Sequence, residues 1–73
     1  MQYKCKILKV DTNFVGREKI IYALEHLDGV FKVDYRAEKN SIEIFIDSDN
    51  EVSDQKIIDA VNGAGDFKIF AID

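Results

Sequence analysis

Seventy-three residues supply one small hydrophobic core and leave no room for a second. At 47% hydrophobic and 33% charged, with no proline, the composition is that of a globular chain rather than a disordered one. The net charge of −4 and a pI near 4.8 weigh against nucleic acid and anionic lipid as partners, and a single cysteine, Cys5, excludes both an internal disulfide and a metal site built on paired thiolates of one chain.

No apolar run approaches the roughly eighteen residues of a membrane span. The opening MQYKCKILKV alternates lysine with apolar residues instead of building the apolar stretch of a secretory leader, so a cytoplasmic protein with no membrane insertion is expected. Tyr3 to Val10 reads as a strand, because Tyr3, Cys5 and Ile7 alternate with Lys4 and Lys6. The alternation slips at Ile7-Leu8. Either a bulge lies there or Leu8 and Val10 point to the opposite face of the sheet. Asp11, Thr12 and Asn13 follow as turn and N-cap residues, each carrying a short side-chain oxygen able to accept from a free helix N–H.

From about Val15 to Leu27, the residues Ile20, Ala23, Leu24 and Leu27 recur at spacings of three and four and mark the core side of a helix. Glu18 early and His26 late suit its dipole, and Gly29 suits its end. Val30 to Ala37 alternates again, with Phe31, Val33, Tyr35 and Ala37 on one face and Lys32, Asp34 and Arg36 on the other. After the polar turn Glu38 to Ser41, Ile42, Ile44 and Ile46 resume the pattern opposite Glu43 and Phe45, which predicts a hairpin. Asp47 to Glu51 is an acidic loop. Ser53 then caps a second helix, with Val52 and Ile57 placed as a hydrophobic staple and Ile57, Val61 and Ala64 on its core side, up to the break at Asn62-Gly63-Ala64-Gly65. Phe67 to Ile72 reads as a last strand, apolar on both faces apart from Lys68. The order β-α-β-β-α-β predicts a ferredoxin-like α+β sandwich over residues 1–73, with two helices on one face of a four-stranded antiparallel sheet. The outer sheet face is then open, and Leu8, Phe45, Phe70 and Ile72 are expected on it as an interaction patch.

The run Ile20, Ala23, Leu24, Leu27, Gly29, Val30, with Val33 and Tyr35, then Ile42, Ile44 and Ile46, and later Val52-Ser53, Ile57, Ala60-Val61 and Ala64-Gly65, resembles the heavy-metal-associated (HMA) domain of copper chaperones and metal-pumping ATPases. The resemblance spans nearly the whole chain and rests on core and turn positions. In that family the loop before the first helix carries a Met-Thr-Cys-x-x-Cys signature that binds a soft ion such as Cu(I) through two thiolates. Counting back from Gly29 without gaps puts the two cysteine positions on Asn13 and Gly16, with Thr12 keeping the residue before the first. A register three residues later uses Gly16 and Lys19. Neither register supplies sulfur, and soft monovalent copper has no affinity for the neutral oxygens of Thr12 and Asn13, the bare backbone of Gly16 or the ammonium of Lys19. The resemblance therefore implies an HMA-like scaffold whose loop positions Thr12, Asn13 and Gly16 are vestigial, with no cofactor.

Other readings of the residues are bland. Cys5 is expected as a buried, inert thiol in mid-strand. The acidic loop lacks the glycine and the bidentate acid of a calcium loop, since Val52 and Ile58 fall at those positions. His26 stands without a second ligand nearby in sequence. The loop from Asp11 to Asn13 suits helix capping better than anion binding, because Asp11 repels an anion. No nucleophile with a paired base and no glycine-rich phosphate loop is present, so no enzyme is expected. RNA binding on this strand order calls for aromatic and basic residues on the first and third strands, where Phe45 is the one aromatic expected on the outer face. Three functions fit: an HMA-like interaction or accessory module whose partner is another protein or the chain itself; a metal-trafficking protein using Cys5 or His26 of two chains; and a small-molecule-binding regulatory domain of the ACT type.

Overall fold

The computed structural model describes residues 2–73. Strand β1 (Tyr3–Asp11), helix α1 (Phe14–Glu25), strand β2 (Val30–Arg36), a short 3-10 turn (Ala37–Lys39), strand β3 (Ser41–Asp47), helix α2 (Asp54–Ala64) and strand β4 (Lys68–Ile72) follow in that order. The sheet is antiparallel in the spatial order β2-β3-β1-β4, which is the expected ferredoxin-like arrangement.

One side of the sheet carries the core. Leu8 and Val10 of β1 and Ile42, Ile44 and Ile46 of β3 are buried against Ile20 and Leu24 of α1 and Ile57 and Val61 of α2. The β1–β3 register runs unbroken from Tyr3 opposite Asp47 to Leu8 opposite Ile42, so no bulge lies at Ile7-Leu8. Leu8 and Val10 instead share their side of the sheet with Lys4 and Lys6. These lysines lie where the strand emerges from under the helices, and the Lys6 ammonium reaches Asp54 in the first turn of α2. Tyr3, Cys5 and Ile7 therefore face outward. Two expectations fall with that parity. Leu8, placed on the outer face, is fully buried, and Cys5, placed in the core, is exposed.

Two real bulges reshape the edges. Between Val30 and Lys32 the pairing with β3 shifts, and Phe31 is the extra residue. It leaves the face of Val33 and Tyr35, where simple alternation put it, and turns outward. Between Ala71 and Ile69 the pairing with β1 shifts in the same way at Phe70. Ile72 pairs with Leu8 and packs on the core, so it too leaves the expected outer patch, whereas Phe70 is exposed.

The helices start on their caps. Asn13 accepts from the Gly16 amide and Ser53 from the Lys56 amide, and Val52 and Ile57 are both buried as the staple requires. Helix α1 stops at His26, short of the expected Leu27, and Glu18 falls beyond its first turn. Helix α2 runs through Asn62 and Gly63 before it ends at Ala64, so Gly63 is helical and not a breaker. Gly29 has φ +94, and its carbonyl accepts from the Asp47 amide, tying the α1–β2 turn to the end of β3. No helix among the described residues is long and apolar enough to cross a membrane.

Candidate functional site

The loop entering α1 is closed around its own cap. Asn13 Oδ1 accepts from the Gly16 N–H at 2.7 Å, and the Thr12 hydroxyl donates to the Asn13 carbonyl at 3.1 Å. Gly16 is buried, and a Cβ built there would collide with Thr12 Oγ1 and stand 2.6 Å from Cε1 of Phe67. The three loop positions are thus brought together, as a helix cap rather than an open cradle. Lys19 lies a turn further on, exposed. Beside the cap, Arg17 stacks its guanidinium 3.9 Å from the centre of the Tyr35 ring and 5.2 Å from that of Phe14, which occupies its charge in cation–π contact.

A second surface is the outer sheet face. Register places Phe45 directly beside Cys5, with Lys32 on its other flank. Tyr3, Phe31 and Phe45 form a three-ring cluster, with centroids 5.4 Å apart for Tyr3 and Phe45, 6.1 Å for Tyr3 and Phe31 and 6.3 Å for Phe31 and Phe45. The Lys32 ammonium lies 5.3 Å from the centre of the Phe45 ring. Further along, Arg36 donates to Glu43 at 2.8 Å. Partial burial and then the nearby Glu43 carboxylate raise the pKa of Cys5, so its thiol is held neutral although exposed.

Sequence reasoning found Phe45 and Phe70 on this side and missed Tyr3 and Phe31. The strand alternation already paired Tyr3 with Cys5, and what was missing was which of two apolar rows in β1 faces the helices. Phe31 left only a faint mark, the two consecutive apolar residues Val30-Phe31 ahead of a regular alternation. With Tyr3 on β1 and Phe45 on β3, the outer face has an aromatic on both strands that an RNA-stacking sheet would use, so the case against RNA there rests on charge.

The other sequence candidates lie apart. His26 caps α1 in the helix layer, on the side of the molecule away from Cys5, and its Nδ1 donates to the Tyr22 carbonyl at 2.7 Å. Beside it a shallow, mainly apolar groove of about 650 Å³ runs between Tyr22 of α1 and Gly63 of α2. The acidic loop folds on itself, with Asp47 accepting from the amides of Asp49 and Asn50. No group of three or more His, Cys, Asp or Glu residues able to hold a metal ion occurs among the described residues.

No family model matches the sequence, and no curated protein matches it significantly. Among solved structures, the yeast copper transporter domain Ccc2a, determined in solution in apo and Cu(I)-loaded states, superposes with a TM-score of 0.69 at 28% identity, over 92% of this chain and 94% of that one. The fold is HMA-like.

Proposed function

We propose that this chain is an HMA-like domain that does not carry copper through its α1 loop and acts as a protein-interaction or accessory module, with the outer sheet face as its working surface. The observation that carries the reading is Gly16. Counted back from Gly29 without gaps, the two cysteine positions of the HMA signature fall on Gly16, where Thr12 and Phe67 fill the space of a Cβ, and on Asn13, which spends its oxygen on the helix cap. Two-coordinate Cu(I) needs two sulfurs converging, and this loop offers neither the atoms nor the space.

Titration of reduced protein with Cu(I) against a chromophoric competing chelator tests this. The expected result is that wild type withdraws no copper from the chelator. Copper uptake by wild type that survives Cys5→Ser would place ligands in the loop and overturn the reading. Uptake abolished by Cys5→Ser would instead favour metal handling through the exposed outer-face thiol.

A further inference from the structure

We infer that the occupant of the outer sheet face is a second copy of this chain, packed sheet to sheet about a two-fold axis parallel to the strands and lying between β1 and β3. The inference rests on the reading of that face as an interaction surface and names its partner.

Register supplies the argument. Rotation about such an axis lays β1 of one copy on β3 of the other, at the spacing of about 10 Å usual for stacked sheets. Along β1 the outward residues are Tyr3, Cys5, Ile7, Lys9 and Asp11, and along β3 the residues opposite the first three are Asp47, Phe45 and Glu43. Phe45 of each copy then meets Cys5 of the other, between Tyr3 and Ile7, and no like charges meet along these central strands. On the outer face of the four strands Lys9, Lys32, Arg36 and Lys68 are matched in number by Asp11, Asp34, Glu43 and Asp47, so that face is neutral although the chain carries −4. The excess acid lies in the helix layer and loops, which the sheet-to-sheet arrangement keeps on the far sides of the dimer, well beyond a screening length of about 8 Å. The chain repels its own copy least across this surface.

Size sets the strength. Four strands at ~4.8 Å spacing and seven residues at ~3.3 Å give a footprint of ~19 by ~23 Å per copy, about half the ~800 Å² per partner of a standard stable interface and in the range of transient encounters. The association is therefore weak and reversible. The geometry leaves the two Cys5 Cα atoms roughly 11 Å apart, beyond the ~7 Å a disulfide spans, so the dimer owes nothing to oxidation.

Sedimentation equilibrium of metal-free, reduced protein from low micromolar to near-millimolar concentration tests the inference. The weight-average mass is expected to rise from the 8.4 kDa of one chain toward twice that value. Phe45→Glu, checked for folding by circular dichroism, is expected to stay monomeric throughout, and Tyr22→Glu on the helix layer to associate like wild type. Alkylation of Cys5 should slow as wild-type protein is concentrated, since dimerisation covers it. A monomer at every concentration overturns the inference and leaves the proposed function standing on its copper titration. Association broken by Tyr22→Glu and spared by Phe45→Glu moves the interface to the helix layer and overturns it equally. Association that appears only on adding Cu(I) overturns both readings, and dissociation of the copies by a single-stranded oligonucleotide bound at the rings would assign the face to nucleic acid instead.

Discussion

Two glycines in helices present opposite environments, and they separate packing from propensity. Gly16 in α1 has Thr12 and Phe67 where its Cβ would be, whereas a Cβ at Gly63 in α2 meets nothing within 4 Å. In a helix, alanine is favoured over glycine by about 0.5–1 kcal/mol when the backbone is already helical. Gly63→Ala is therefore expected to stabilise the domain by up to about that amount. Gly16→Ala gains the same propensity but must push Phe67 or the Thr12 hydroxyl aside, and overpacking of this kind costs about 1–3 kcal/mol. Urea unfolding of the two variants measures the difference. A stabilised Gly16→Ala would mean that the loop has room for a side chain, and the physical objection to a ligand at this position would go with it. The sequence showed that Gly16 lacks sulfur, but it could not show that the space was taken, because Phe67 arrives from the segment before β4, 51 positions away.

At the level of elements, the hydrophobic pattern made the order of strands and helices, the β2–β3 hairpin and the Ser53 cap legible, since each depends on residues close in sequence. What stayed illegible was parity and bulges. In β1, two apolar rows compete, Tyr3-Cys5-Ile7 and Leu8-Val10, and only the helices packed above decide which becomes core. The lysines misled: Lys4 and Lys6 suggested a wet side, yet they flank the core at its open end, where Lys6 finds Asp54. A single-residue shift of this kind exchanges every side chain between faces. Substitution measures it directly. Leu8→Ala, at a fully buried site, is expected to cost about 2–5 kcal/mol, while Cys5→Ala, at an exposed one, is expected to stay within about 0.5 kcal/mol of wild type. Thermal or urea denaturation of monomeric protein at low concentration gives both numbers, and the reverse ranking would show that β1 presents its other row to the helices.

For the whole molecule, the distribution of charge separates the two layers. The helix layer and loops carry the excess of acid, while the central outer face balances its charges and exposes Tyr3 and Phe31 around a half-buried Phe45. Two such molecules approaching helix layer to helix layer meet like charge, and added salt would strengthen that association by screening it. Approaching sheet to sheet, they bury apolar surface with little net Coulomb energy to screen. Raising sodium chloride from about 0.05 M to about 0.5 M shortens the Debye length roughly threefold, yet the dissociation constant of wild type is expected to change by less than about threefold over that range. Because only the folded state associates, the melting temperature should also rise with protein concentration at both salt levels, and Phe45→Glu should remove that rise. A dissociation constant falling by tenfold or more with salt would instead mean that like charges face each other across the interface. That would place the contact on the acidic helix layer, with the aromatic face left open to solvent.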